Sequence, residues 1–199
     1  ATLAHSGYFL LEELKTLRKI GSRLQGHPDK NFLPFIETSS GPLGLGLSQA
    51  VGMCLADKIN NGKYSSKQFY CLLSDAELQE GNIWEGIMLG AKERLQNLTV
   101  IIDRNNIQVE GKTEDIMPLE PLKQKWESFN WHVQIINGHN LREIAEAILQ
   151  AQAVFDRPSV IIANTIPGKG VSFMENKYEW HGKAPNKEEG EKAIKELKI

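Results

Sequence analysis

The feature that most constrains the fold is an alternation of short apolar runs with longer segments of helical periodicity. Runs such as FYCLL at 69–73 and LTVII at 98–102 are typical of strands buried on both faces. The segments between them carry apolar residues three and four positions apart, as amphipathic helices do. Strands and helices in this order form βαβ units. We therefore predict an α/β fold in which helices cover both faces of a parallel sheet.

The predicted elements follow one another without an internal repeat or a linker, so we expect one domain over residues 1–199. The helices are predicted at residues 9–20, 47–59, 82–94, 121–129 and 141–155. The strands are predicted at residues 69–73, 98–102, 132–136 and 159–163. Residues 21–46 form a Gly-, Pro- and Ser-rich segment, and loops of that length are usually functional or disordered. The charged stretch 187–198 predicts a solvated tail.

Charge and composition exclude several classes of partner. The net charge is −2 and the Lys and Arg residues are scattered, so there is no basic surface for nucleic acid or an anionic membrane. No stretch approaches the roughly 20 apolar residues of a membrane span, and the N-terminus does not resemble a signal peptide. Cys54 and Cys71 lie far apart in apolar sequence, which predicts free core thiols in a reducing compartment and hence the cytoplasm.

Polar side chains follow the first two predicted strands at the point where each strand ends. Asp75 comes after one and Asn105 after the next, and we expect them to leave neighbouring parallel strands side by side. A carboxylate with an amide oxygen is too sparse for a closed zinc site but suits Mg²⁺ or Ca²⁺, which complete their shell with phosphates and water. The same residue types also serve as helix caps and turns, so the residues alone leave both interpretations open.

A Gly-rich segment, SGPLGLG at 40–46, leads directly into the predicted helix at 47–59. Such a segment permits close backbone approach and presents N–H groups to an anion. The competing interpretation is a dinucleotide fingerprint, GxGxxG, which a strand should precede. Here turn sequence precedes Gly44 and Gly46, and Gly52 comes too late to be the third glycine. A nicotinamide-binding site is therefore disfavoured.

A series of ordered blocks resembles the N-terminal, thiamine diphosphate (ThDP)-binding domain of transketolases. The blocks are GSR with GHP, SGPLGLGLSQAVGM, SDAELQEG with WE, NLTVIIDRN, NGHN, and GKGVSFMEN with WHGKAP. The resemblance runs from Gly7 to about Pro185 and is closest to the separately encoded N-terminal subunit of split transketolases. It implies the family's parallel ThDP-binding fold. The family's earlier segment, with its Gly-His-Ala motif, is missing before Ala1, so we expect an N-terminally truncated domain.

The resemblance implies a ligand set for a metal and a diphosphate. The family's Gly-Asp-Gly motif corresponds to Ser74, Asp75 and Ala76. Asp75, Asn105 and the backbone carbonyl of Ile107 would hold Mg²⁺, or Ca²⁺ or Mn²⁺ in its place, and the metal would clamp the diphosphate. The backbone of Ala76 would approach the diphosphate, where its methyl group costs most if the residue needs a positive φ.

The resemblance also implies the residues that line the cofactor and the substrate. Gly41, Pro42 and Leu43 would line the cofactor. His27 and His181 match histidines that face the cofactor and substrate, where an imidazole can exchange protons with substrate oxygens.

Further residues are assigned to the subunit interface or to packing. Glu80 and Glu85 resemble family glutamates that are directed to the interface and link two cofactor sites, with Glu80 close to the cofactor. His139 precedes a helix and is predicted to be structural. Trp84 and Trp131 are predicted to pack in the core.

The activity that the resemblance implies is transfer of a two-carbon ketol unit between sugar phosphates, as in the pentose phosphate pathway. In this family a glutamate from a separate pyrimidine-binding domain activates the cofactor. We therefore expect the partner to be a C-terminal transketolase subunit, in a heterotetramer or a dimer of the assembled unit. Two alternatives remain open: a non-catalytic or regulatory subunit with the same fold, and a related ThDP enzyme such as a 1-deoxyxylulose-phosphate synthase.

Overall fold

The computed structural model describes residues 1–62 and 65–197. It contains two compact units, one of residues 1–43 and one that starts at Gly44. The helices are α1 (Thr2–His5), α2 (Leu45–Asn61), α3 (Gly81–Lys92), α4 (Thr113–Ile116), α5 (Leu122–Ser128), α6 (Leu141–Gln152) and α7 (Lys187–Leu197). The strands are β1 (Phe69–Ser74), β2 (Leu98–Arg104), β3 (Ile107–Gln108), β4 (Gly111–Lys112), β5 (His132–Asn137) and β6 (Ser159–Asn164). Within the described ranges, no helix combines the length and the hydropathy that a membrane-spanning segment requires.

Four parallel strands form the central sheet of the second unit, in the order β1-β2-β6-β5. The register places Ser74 beside Asp103, and Asp103 beside Ala163. Because the strands are parallel, the loops that follow β1, β2 and β6 all leave the sheet at the same edge. The predicted α/β fold with a parallel sheet is thus confirmed.

Successive side chains along the strands pack into two different hydrophobic clusters. Val100 and Ile102 of β2 belong to the larger cluster, which α2, α3 and α5 complete. Ile101 of the same strand and Ile161 of β6 pack with α6 in a smaller cluster. Since successive side chains of a strand point to opposite faces, the two clusters lie on opposite sides of the sheet. The prediction that helices cover both faces is confirmed.

A cluster of tryptophans lies within the larger, mainly aliphatic core. Trp126 and Trp131 are almost completely buried and meet edge to face, with ring centroids 5.0 Å apart. Trp131 donates its indole N–H to the carbonyl of Ile87 at 3.0 Å. Trp84 donates in the same way to Leu78 at 2.9 Å. Each of these two donors is satisfied inside an apolar core, and the predicted packing role of Trp84 and Trp131 is confirmed.

Two predicted elements differ from the structure. The helix predicted at 9–20 is wrong: only a 3₁₀ helix, Leu11–Thr16, forms there. Leu10 and Leu17 are exposed, so the apolar stripe has no core to bury it, and a short helix gains most of its stability from such burial.

The charged stretch at 187–198 is helical as far as Leu197, and Ala193 is the buried residue of this helix. Position 198 lies outside the described residues. The expectation of a solvated tail thus missed α7. The remaining predicted helices and strands are confirmed to within a few residues at each end.

Candidate functional site

Asp75 leaves the end of β1 and is completely buried. Its Oδ2 accepts hydrogen bonds from the backbone N–H of Asn106 at 2.7 Å and from Nη1 of Arg104 at 2.9 Å. Its Oδ1 accepts from the backbone N–H of Ala76 at 2.7 Å. Burial raises the pKa of the Asp75 carboxyl above its ordinary value, although the hydrogen bonds from Asn106 and Arg104 oppose that shift. Oδ1, with one hydrogen bond, retains the capacity to bind a cation.

Asn105 lies just beyond the end of the neighbouring strand β2. Its side-chain oxygen accepts from the backbone N–H of Ile107 at 3.1 Å, and its amide nitrogen donates to Oδ2 of Asp103 at 3.2 Å. Thr165, which follows β6, donates its hydroxyl to Oδ1 of Asp103. Asp103, near the end of β2, therefore links Thr165 of the loop after β6 to Asn105, and Asp75 is bonded to the residue that follows Asn105.

The oxygen donors at this edge suit a hard divalent cation. The predicted set consists of the Asp75 carboxylate, the Asn105 amide oxygen and the Ile107 carbonyl, which is the type of ligand that Mg²⁺ accepts together with phosphate and water. In the part of the chain that the structure describes, no three His, Cys, Asp or Glu side chains cluster around a potential metal position. The predicted set does not need such a cluster, because it contains a single carboxylate.

Ala76 does not adopt the conformation that would penalise its methyl group. Ala76 begins a 3₁₀ helix, Ala76–Gln79, and its φ is not positive. The strain considered for an alanine in place of the family's glycine does not arise.

Glu77 ties the Gly-rich segment to the loop after β1, and no motif in the sequence indicates this role. Its carboxylate accepts the backbone N–H of Gly44 at 2.6 Å and that of Ser74 at 3.4 Å. Gly44 is the N-cap of α2 and has a left-handed φ of 81°. This left-handed φ favours glycine, and an added Cβ would also collide with the side chain of Asn82 unless that side chain moved. The expectation of free N–H groups needs a correction at Gly44, whose N–H already binds Glu77.

The first unit holds the predicted site residues His27, Gly41, Pro42 and Leu43. His27 is exposed, and its ring packs on Gly41, where an added Cβ would meet Cγ of the ring at 3.2 Å. Pro42 and Leu43 are exposed. Two of the residues predicted to face the cofactor thus lie together within this unit.

A cleft of about 880 Å³ opens at the carboxyl edge of the sheet in the second unit. Asn105, Ile107 and His181 line it together with Asp103, Thr165 and Trp180. His181 is exposed and follows a 3₁₀ turn, Tyr178–Trp180. The structure therefore brings the predicted catalytic histidine of this unit into the same cleft as two of the predicted metal ligands.

The remaining predicted residues have simple positions. Glu80 and Glu85 are exposed, and the side chain of Glu80 makes no capping hydrogen bond to α3 although it is the N-cap residue. His139 accepts the backbone N–H of Ile166 at 2.7 Å through Nε2, which joins the loops after β5 and β6. The structural role predicted for His139 is confirmed.

The fold and the site define an α/β domain whose polar loops collect at the carboxyl edge of a parallel sheet, where phosphate-bearing cofactors bind. The chain belongs to the transketolase family. Residues 1–198 match the family described as "Transketolase, thiamine diphosphate binding domain". The resemblance found in the sequence blocks is thus confirmed.

The relatives are transketolases and transketolase subunits, which are ketol-transferring enzymes. The chain is 42% identical to a 6-deoxy-6-sulfo-D-fructose transketolase subunit of Clostridium sp. (strain MSTE9), covering 99% of this chain and 70% of that subunit. It is 40% identical to an apulose-4-phosphate transketolase subunit of Actinobacillus succinogenes, covering 98% of this chain and 70% of the relative. It is 36% identical to human transketolase, covering 99% of this chain and 31% of that enzyme.

A solved structure supports the same assignment. The crystal structure of transketolase from Campylobacter jejuni superposes with a TM-score of 0.86 at 35% identity, over 93% of this chain and 29% of that enzyme. The fold class predicted from the sequence agrees with this neighbour.

Proposed function

We propose that this chain is the cofactor-binding subunit of a transketolase. Together with a partner subunit it transfers a two-carbon ketol unit between sugar phosphates. The observation that carries the proposal is the junction of β1 and β2. There the carboxylate of Asp75 accepts the N–H that follows Asn105 at 2.7 Å, so two predicted ligands leave adjacent strands of one sheet. The word subunit in the names of these relatives supports the need for a partner, which we propose carries the pyrimidine-binding domain.

The residues divide the work at the site. Asp75, Asn105 and the carbonyl of Ile107 would hold a divalent metal, with Mg²⁺ the first choice because all three donors are oxygens. When bound, ThDP supplies the carbanion chemistry that ketol transfer requires. The chain's own groups bind and orient the diphosphate. His27 and His181 hold or deliver protons at substrate oxygens.

The compartment and the assembly belong to the same proposal. Cys54 and Cys71 are both buried free thiols, which supports a reducing compartment such as the cytoplasm. The exposed positions of Glu80 and Glu85 support an interface on that side of α3, in a heterotetramer or a dimer of the assembled unit.

Metal-dependent cofactor binding tests the proposal. Calorimetry of the protein assembled with its partner should show ThDP binding in Mg²⁺ that is lost in chelator. Asp75→Asn keeps the shape of the side chain but removes its charge, and it should weaken ThDP binding in Mg²⁺ by about tenfold or more, as metal-site substitutions do. The matched control is Asp156→Asn, which changes an exposed aspartate paired with Arg157 and should leave binding unchanged.

The same measurement separates the alternatives. A wild-type assembly that gives no heat with Mg²⁺ and ThDP would favour a non-catalytic subunit with this fold. An assembly that binds ThDP but forms products other than ketol-transfer products would favour a related ThDP enzyme.

A further inference from the structure

Arg104 is a buried cation in direct contact with Asp75, the proposed metal ligand. It is the last residue of β2, precedes Asn105, and is 3% exposed. Its Nη1 donates to Oδ2 of Asp75 at 2.9 Å. Its Nη2 donates to the carboxylates of Glu114 at 2.6 Å and Glu120 at 3.1 Å. An arginine buried to this extent needs such partners, because an unpaired buried charge is strongly destabilising.

The two glutamates are themselves fixed to the backbone. Glu114 accepts the N–H groups of Leu119 at 3.0 Å and of Glu120 at 3.4 Å, and Glu120 accepts that of Leu122 at 2.7 Å. Burial alone would raise the pKa of the Glu114 carboxyl, but the hydrogen bonds from Arg104 and the backbone outweigh it and hold that pKa below its usual value. Glu114 and Glu120 therefore hold Nη2 of Arg104, while Nη1 binds Asp75.

The charge of this cluster suits a divalent cation. Asp75, Glu114 and Glu120 contribute three negative charges and Arg104 one positive charge, which leaves a net charge of −2. The cluster therefore remains net negative, and attractive to a cation, although Arg104 lies within it. The arginine acts on one oxygen of Asp75, the same oxygen that accepts the N–H of Asn106. Oδ1 accepts only the N–H of Ala76 among these contacts and so keeps lone-pair capacity for a metal.

We propose that Arg104 is a positioning residue for the metal: it holds Oδ2 of Asp75, so that Oδ1 would serve the dication, and it couples Asp75 to the segment that contains α4. This inference rests on the proposed function, because it takes Asp75 as a metal ligand. The planar fork contacts three carboxylates at once, which a lysine ammonium cannot reproduce in the same geometry.

Direct titration of the metal tests the inference. Mn²⁺ replaces Mg²⁺, and electron paramagnetic resonance measures free Mn²⁺ as the full protein, assembled with its partner, is titrated in the presence of ThDP. Arg104→Met should raise the Kd for Mn²⁺ by about tenfold or more, as the loss of a residue that orients a metal ligand does. Arg104→Lys should recover part of the loss. The matched control is Arg157→Met, at an exposed arginine paired with Asp156, which should leave the Kd unchanged.

A second variant tests whether Arg104→Met weakens Mn²⁺ binding only because the protein unfolds. Arg104→Met combined with Glu114→Gln removes one of the carboxylates that would otherwise be left without a cation, and it should fold while binding Mn²⁺ as weakly as the single variant. The increase in Tm on adding Mn²⁺ and ThDP should shrink in both variants, because less ligand free energy is available to the folded state.

The outcomes separate the two proposals. A folded Arg104 variant that lowers the Tm without ligand but binds Mn²⁺ as tightly as the wild type overturns the positioning role and leaves the proposed function intact. A wild-type assembly that shows no ThDP-dependent Mn²⁺ binding overturns the proposed function and this inference with it.

Discussion

Ala76 occupies the place of a family glycine, and its backbone explains why an alanine is tolerated there. It lies in the first turn of a 3₁₀ helix without a positive φ. We expect Ala76→Gly to change the ThDP affinity less than about twofold and to lower the free energy of unfolding by about 0.5–1 kcal/mol, the usual cost of glycine in a helical segment. Calorimetry and chemical denaturation measure the two quantities. A large gain in affinity would instead mean that the methyl group obstructs the diphosphate.

Cys54 and Cys71 make a prediction that needs no ligand. Both thiols are buried in the larger core, and burial raises the pKa of each to about 12. At pH 8 the thiolate fraction is then about one part in ten thousand, and the thiolate is the reactive species. We expect a thiol reagent such as 5,5′-dithiobis(2-nitrobenzoate) to label neither cysteine in the native protein. Both should react on unfolding in guanidinium, and rapid labelling of native protein would contradict the burial.

Site residues could be predicted from the sequence only where they directly follow a predicted strand. Asp75 and Asn105 could be found because each follows an apolar run, and parallel strands bring such positions to one edge. Arg104 and Glu77 could not, because their partners depend on tertiary contacts: Arg104 meets Asp75 across the sheet, and Glu77 meets Gly44 from a distant segment. Neither residue differs in sequence from an ordinary surface charge.

Among the elements, strands were predicted best, because β1, β2, β5 and β6 all form at the expected positions. Burial on both faces, which a continuous apolar run predicts, holds for β2 and β6 but not for β1, where Tyr70 and Leu72 are exposed. Helical periodicity was less reliable. It identifies an apolar face on a helix, but it does not show whether the fold provides a core against which that face can pack. Residues 9–20 have the spacing without the core, whereas α7 is a polar helix that the charged composition concealed.

The start of α6 provides a test at the scale of one element. The Asn140 side chain accepts the N–H groups of Arg142 at 3.1 Å and Glu143 at 3.4 Å, as an N-cap does. In a capping box the Glu143 side chain would accept the N–H of Asn140, but here it accepts the N–H of Asn137 at 2.8 Å. We expect Asn140→Ala to lower the free energy of unfolding by about 1 kcal/mol.

Chemical denaturation measures the effect of Asn140→Ala. The control is Arg142→Ala in the same helix turn, which loses an exposed pair with Glu146 and should cost only about 0.3–0.5 kcal/mol. Equal losses in the two variants would mean that the cap contributes nothing beyond a surface contact.

At the scale of the whole molecule, the second unit exposes several large apolar side chains. Tyr70 and Leu72 project from β1, the strand at one end of the sheet order, and Leu72 is 72% exposed. Met88 and Leu89 are exposed on α3, the helix that also carries Glu85. Since contiguous apolar patches are typical of interaction sites, we expect the proposed partner to contact the second unit at β1 or at α3.

The activity of the isolated chain follows from this assembly. Supplied with Mg²⁺, ThDP, a ketose phosphate and an aldose phosphate, the chain alone should produce no ketol-transfer product, because the glutamate that activates the cofactor is expected from the partner's pyrimidine-binding domain. Product formation should begin when the partner is added and should saturate at an equimolar ratio. Asp75→Asn provides the control, since it should still assemble with the partner, as seen by size-exclusion chromatography, while its activity falls. Turnover by the chain without any partner would contradict the split architecture and place the whole catalytic apparatus within this polypeptide.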